Sequence, residues 1–195
     1  MTEFHPSDRR FRLQTALSLG HWGERDLENL RSRAPDLDLG ELKDRRWRYS
    51  AIDIATLRIL EALCGPTVMG PVRWFVPPAV ALNVLKLEGP VHRFIDQDSD
   101  GYLKTPGPVV RQRFLVLRVH GRDEHATVDT LYGNELIDRL DKIDNQMLIV
   151  PVTKLVYEVV TACGEIVKQE NEIKEELTAS VTEAFRKAGR LEEDE

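Results

Sequence analysis

The stretch from Ser50 to Pro66 constrains this chain more than any other. Ser50-Ala51-Ile52-Asp53 puts a hydroxyl at an N-cap and a carboxylate three residues on, a variant capping box that satisfies the free amides opening a helix. Ile52, Ala55, Ile59 and Leu63 then recur at helical spacing until Gly65-Pro66 stops the run. The spacing predicts an amphipathic helix, and its apolar stripe must be covered by whatever the flanking sequence supplies.

Upstream, residues 1–10 are polar and read as a flexible N-terminus. Phe11-Arg12-Leu13 opens a short first helix, in which Leu13, Ala16 and Leu17 keep the stripe and Gly20 ends it. After a turn at His21-Trp22-Gly23, a second helix runs from Glu24 to Ala34 and stops at Pro35. It turns Leu27, Leu30 and Ala34 inward and Arg25, Glu28, Asn29, Ser32 and Arg33 outward. Two short helices across a glycine-bearing turn make a helix-turn-helix geometry. Alternation at residues 37–39 and 46–49, around a polar stretch containing Gly40, predicts a β-hairpin.

Downstream, residues 66–78 are rich in proline and glycine, and a helix is expected from Pro78 to Leu87 with proline in its first turn. At Gly89-Pro90 the pattern changes from helical spacing to strands. Two hairpins are predicted, His92–Ile95 with Tyr102–Lys104 and Arg113–His120 with Ala126–Leu131. A short helix at Gly133–Asp141, a buried strand at Met147–Val150, a helix at Thr153–Cys163 and a long polar helix from Gly164 to Ala188 complete the chain. The fold class is therefore α+β. Its expected parts are the flexible residues 1–10, a DNA-binding unit at 11–89, a small α+β module for dimerisation or sensing at 90–164, and an amphipathic helix with an acidic tail at 165–195.

The 195 residues carry a net charge of −6, which argues against wholesale coating of nucleic acid. The distribution is more informative than the sum. Residues 1–50 hold ten Arg and Lys against nine acids, whereas residues 165–195 hold five against ten. Nine of the ten N-terminal cations are Arg, the side chain whose planar fork suits phosphate and guanine. Two cysteines, Cys64 and Cys163, outside any CxxC make no disulfide framework, so a reducing, cytoplasmic compartment is expected. No apolar run approaches a membrane span, and no apolar segment follows the N-terminal charges as in a secretory signal.

Residues 11–64 resemble the MerR-type winged helix-turn-helix. The match lies in Phe11-Arg12-Leu13, the turn at Gly20–Gly23, Asp26-Leu27-Glu28-Asn29-Leu30, and above all Arg46-Trp47-Arg48-Tyr49-Ser50 followed by Asp53 and Leu57-Arg58-Ile59-Leu60. The family reads R-R-[YF]-S and then D-L-x-x-L-x-x-I/L there. Pro78–Leu87 fits the family's second helix pair. The resemblance implies a sequence-specific regulator of transcription that binds double-stranded DNA as a homodimer. The chain departs from the family at Glu28, where an Arg is usual, and at Asn29-Leu30, where aromatics are usual. It has no metal-binding cysteine cluster, so a mercury- or copper-sensing role is not implied.

The candidate contacts follow from residue chemistry. Alternate residues of a hairpin strand share a face, so Arg46 and Arg48 align for phosphates beside Arg45, while Trp47 and Tyr49 pack or stack. The plain alternative is a solvated loop balanced by Glu41 and Asp44. On the second helix Arg25 and Arg33 suit guanine edges and Asn29 suits adenine, against a solvated face shared with Glu24, Asp26 and Glu28. With Arg12 and Tyr49, the expected DNA-contacting set is Arg12, Arg25, Asn29, Arg33, Arg45, Arg46, Arg48 and Tyr49.

Other motifs read as structural. Asp96-Gln97-Asp98-Ser99-Asp100-Gly101 matches half a calcium loop, but its twelfth position is Gly107 and not a bidentate Glu, so it reads as a hairpin loop. His120 and His125 bracket a hairpin tip, and Cys64 and Cys163 lie on apolar helix faces. No catalytic constellation, metal site or cofactor is expected. Ile166, Ile173, Leu177, Val181 and Phe185 form a stripe predicted to pair two subunits. The rival reading is a protein-interaction or adaptor module on a winged-helix scaffold, with Glu28 and the acidic tail as its features. Contact with RNA polymerase, and any effector, are left open.

Overall fold

The computed structural model describes residues 4–34, 38–65, 78–88, 108–119, 126–140 and 147–192. The expected hairpin at 92–104, the half calcium loop, His120 and His125, the proline- and glycine-rich segment at 66–77 and the boundary at Gly89-Pro90 lie outside these residues. The fold is mixed α and β. In chain order it runs β1 (Phe11–Arg12), α1 (Leu13–Gly20), α2 (Glu24–Arg33), β2 (Glu41–Lys43), β3 (Arg46–Tyr49), α3 (Ala51–Cys64) and α4 (Pro78–Glu88). After a 3-10 turn at Val109–Arg111 come β4 (Arg113–Val119), β5 (Ala126–Tyr132), α5 (Gly133–Leu140), β6 (Met147–Val150) and α6 (Val152–Glu192).

The helix that the sequence announces most clearly sits at the centre. Ser50 Oγ accepts from the Asp53 amide at 3.0 Å, and Asp53 Oδ2 accepts from the Ser50 amide at 2.8 Å, closing the capping box. Asp53 is buried, and Arg9 Nε lies 3.5 Å from its carboxylate and supplies the neutralising charge. Behind the cap, α3 buries Ile54, Ala55, Leu57, Ile59, Leu60, Leu63 and Cys64, so more of its circumference is covered than one stripe. It packs on α1, α4 and α6. Gly20 lets α1 come close, since a Cβ there would stand 3.0 Å from Leu57 Cβ. From the turn after α1, Trp22 donates its indole N–H to the Leu57 carbonyl at 2.7 Å.

Two three-stranded antiparallel sheets flank this helix, ordered β1-β3-β2 and β5-β4-β6. In the second, the central strand β4 is apolar on both sides. Leu115 and Leu117 join the main core with α3 and α6, and Phe114 and Val116 form a second cluster with Leu131 and Leu136. The main core thus runs from Phe11 to Val167 and unites both parts of the chain.

Three expectations are corrected. Phe11 and Arg12 pair with Tyr49 and Arg48 as a strand instead of opening α1, because Arg12 is extended and β3 offers a free edge. The hairpin's first strand is Glu41–Lys43 and not residues 37–39. A two-residue turn at Asp44-Arg45 fixes the register to 41–43, and Gly40, at φ +73°, breaks the chain before it. Finally, the two helices expected at 153–163 and 164–188 are one helix of 41 residues. Gly164 is carried inside it, where the Phe4 ring would lie 3.6 Å from an added Cβ.

Along α6, Val152, Leu155, Val156, Val159, Val160, Cys163 and Val167 are buried, and Ile166 packs against the same core. From Glu172 to Arg186 every residue is exposed. Of the predicted stripe, Ile166 is therefore a core residue, while Ile173 (56%), Leu177 (60%), Val181 (52%) and Phe185 (75%) stand in solvent. Among the described residues no helix is long and apolar enough to cross a membrane.

Candidate nucleic-acid interface

The pairing register of the first sheet sorts its side chains by chemistry. Arg12 lies opposite Arg48, which lies opposite Glu41, and Lys43 lies opposite Arg46. Since opposed residues point to one side and the side alternates along a strand, these five share a face. The other face carries Phe11 opposite Tyr49 and Leu42 opposite Trp47. One side of a small sheet thus bears four cations and a single acid, and Arg45 adds a fifth cation at the turn. Placing Arg12 directly across from Arg48 costs stability, because like charges in register repel.

The cations near the N-terminus divide into tied and untied. Arg9 donates to Asp38 at 2.8 Å and reaches Asp53, and the Asp38 hydrogen bond raises its pKa despite partial burial. Arg10 meets Glu170 of α6 at 3.4 Å, and Arg58 meets Glu61 at 2.6 Å. Arg12, Arg25, Arg33, Lys43, Arg45 and Arg46 form no ion pair among the described residues, and all are exposed. Arg48 is intermediate: half-buried, it donates to the Arg10 carbonyl at 3.4 Å.

The turn that presents Arg45 is strained. Asp44 and Arg45 have φ of 51° and 61°, the left-handed pair of a type I′ hairpin, where Asp is tolerated and Arg is costly. Gly40 prepares the same hairpin, because a Cβ there would stand 2.9 Å from the Tyr49 ring.

On α2, Arg25, Asn29 and Arg33 are exposed and recur every fourth residue, so they lie along one strip beside Glu28 and Ser32. Leu27 and Leu30 are buried beneath. Of the eight expected contacts, six are exposed and Arg48 is half-exposed. Tyr49 is corrected: its side chain is fully buried, its hydroxyl has no partner among the described residues, and a side chain so enclosed presents nothing to a duplex. Its ring instead supports the hairpin from below.

A residue that the sequence reading passed over is Arg31. Its guanidinium carbon lies 3.8 Å from the centre of the Trp47 ring and 5.2 Å from that of Tyr49. Stacking of this kind contributes about 0.5–2 kcal/mol, more as the pair is desolvated. Nε and Nη2 are buried without an acceptor, and burial pushes the guanidinium pKa down, partly opposed by Glu28. The signal was available in the helical period, since Arg31 follows Leu27 by four and shares its side.

Elsewhere the chemistry is quiet. Burial pushes the Cys64 and Cys163 thiols up to about 12, Glu61 adding to the shift at Cys64, so neither supplies a thiolate near neutral pH. Among the described residues, no three His, Cys, Asp or Glu side chains gather in a way that could hold a metal. Compared with known proteins, the chain matches no family model and no curated protein.

Proposed function

We propose that this protein binds double-stranded DNA in a sequence-specific manner, as a homodimer, and regulates transcription in the cytoplasm. In this reading α1 and α2 form a MerR-like helix-turn-helix, β2 and β3 form its wing, and α2 enters the major groove while the wing lies on the backbone. The observation that carries it is the row of cations on the outer face of β1-β3-β2, four against the single acid Glu41, which fold stability alone does not require. Phosphates would supply the missing charge and release counterions as they do. Arg25, Asn29 and Arg33 on α2 supply fork and amide chemistry for base edges. The homodimer rests on α6, whose exposed Ile173, Leu177, Val181 and Phe185 would be covered by a second copy.

A second reading keeps the scaffold and exchanges the partner. Glu28, exposed in the middle of α2, and the acidic tail, residues 165–195 with ten acids against five cations, favour docking of another protein. Fluorescence anisotropy with a pool of random duplexes of about two helical turns, measured over a series of salt concentrations, separates the two. DNA binding gives an affinity that falls steeply with salt; an adaptor gives none at physiological ionic strength.

A further inference from the structure

The outward strip of α2 and the cationic face of the sheet belong to different elements, and DNA recognition by both at once needs them at a fixed separation. Resting on the DNA-binding reading above, we propose that Arg31 is the positioning residue that sets this separation, by stacking its guanidinium on Trp47.

Leu27, Leu30 and Ala34 are the buried residues of α2 and the residue that ends it, and Arg31 shares their side of the helix. An aliphatic residue would fill this place without desolvating a charge. The chain instead puts an arginine there, with two of its three nitrogens sealed from water and without an acceptor. No carboxylate lies within ion-pair distance of it among the described residues. What the cation gains is the face of Trp47, at 3.8 Å, with Tyr49 behind it.

Trp47 and Tyr49 are alternate residues of β3, on the side opposite Arg46 and Arg48. Arg31 therefore reaches from the recognition element to the underside of the strand whose upper side carries the phosphate contacts. A flat guanidinium on a flat indole is directional, whereas aliphatic side chains slide over one another. The stack holds α2 and β3 in one relative placement, so that Arg25, Asn29 and Arg33 enter a groove while Lys43, Arg45 and Arg46 meet the adjoining backbone. Arg31 itself touches no phosphate in this account.

The test uses the full chain, the random duplex pool and anisotropy over a salt series, with thermal unfolding on the same samples. Arg31→Met is expected to weaken binding about tenfold and to lower the salt slope by ~3, because the phosphates of Lys43, Arg45 and Arg46 are lost together. Arg31→Lys keeps the charge without the planar stack and should behave like Arg31→Met. Trp47→Leu should match both, and the double variant Arg31→Met with Trp47→Leu should be no worse than either alone, the mark of one shared interaction. Trp47→Phe, the mildest change, keeps a ring and should lose about threefold, which keeps the test available if Arg31→Met unfolds.

A slope reduced by ~1 in Arg31→Met but restored in Arg31→Lys would make Arg31 a direct phosphate contact and overturn the proposal. So would unchanged affinity, additive losses in the double variant, or a loss of thermal stability with no change in slope. Wild-type protein that binds no duplex would remove the DNA reading itself, a different failure from wild-type binding that Arg31 does not influence.

Discussion

The described residues hold two three-stranded antiparallel sheets, and these treat their central strands oppositely. β4 buries Phe114, Leu115, Val116 and Leu117, and thus both of its faces. β3 buries Tyr49 and half-buries Trp47 on one face and leaves a row of cations open on the other. A sheet that only holds a fold together covers its central strand, as β4 does. β3 instead leaves Arg46 open to solvent and Arg48 half-buried across from Glu41, and the DNA reading assigns that face to phosphates.

The contrast can be broken most forcefully at Leu115. Leu115→Ala should destabilise the protein by roughly 2–5 kcal/mol, because a fully buried side chain leaves a cavity shared by α3, α6 and β4. Denaturant unfolding checks this, and any loss of DNA binding should track the folded fraction. Next in size is removal of the exposed half of α6. A chain ending at Asn171 keeps every buried residue of the helix and the Arg10–Glu170 pair, so it should stay folded, with a melting point lowered only by the lost stabilisation from dimerisation. It should be monomeric by light scattering and bind duplexes at least about tenfold more weakly, since paired half-sites are lost. A cut at Gly164 would instead remove Val167 and Ile166 from the core.

On the open face of β3 the effects on stability should be small and those on binding specific. Arg46→Ala should change unfolding free energy by less than about 0.5 kcal/mol and reduce the salt slope by ~1. Arg48→Ala should reduce the slope less, because its guanidinium is half-buried and committed to the Arg10 carbonyl. The sharpest case is Arg45→Gly. Glycine relieves a left-handed φ of 61°, so the variant should be stabilised by about 1 kcal/mol while binding DNA less tightly. A site that loses binding as it gains stability separates function from fold within one residue.

Much of this was legible in the sequence because it was written in local patterns. The capping box and stripe of α3, the inward and outward residues of α2, the β4–β5 hairpin and the buried cysteines each follow from spacing over a few residues. What the sequence hid depends on non-local pairing. The strand at Phe11–Arg12 exists only because β3 lies beside it, and two residues cannot announce a strand. Tyr49 looked available because a short motif does not say which side of a sheet faces the core. Arg31 looked like one more cation because its partner ring is 16 positions away in sequence, Arg31 to Trp47. Gly164 looked like a break because helix propensity does not register the Phe4 ring packed against it. The cationic face needed the register itself, since Arg12, Lys43, Arg46 and Arg48 come together from three strands.

Above all, the cationic face of β1-β3-β2 is proposed as an interface for the DNA backbone. The most direct measurement compares wild-type protein with the triple variant Arg12→Ala, Lys43→Ala, Arg46→Ala over a salt series on the same duplex pool, with thermal unfolding alongside. The expected result is an unfolding midpoint no lower than that of the wild type, since the Arg12–Arg48 repulsion is relieved, and a salt slope lower by ~3, one for each lost phosphate contact. A triple variant that binds DNA with the wild-type slope would contradict it.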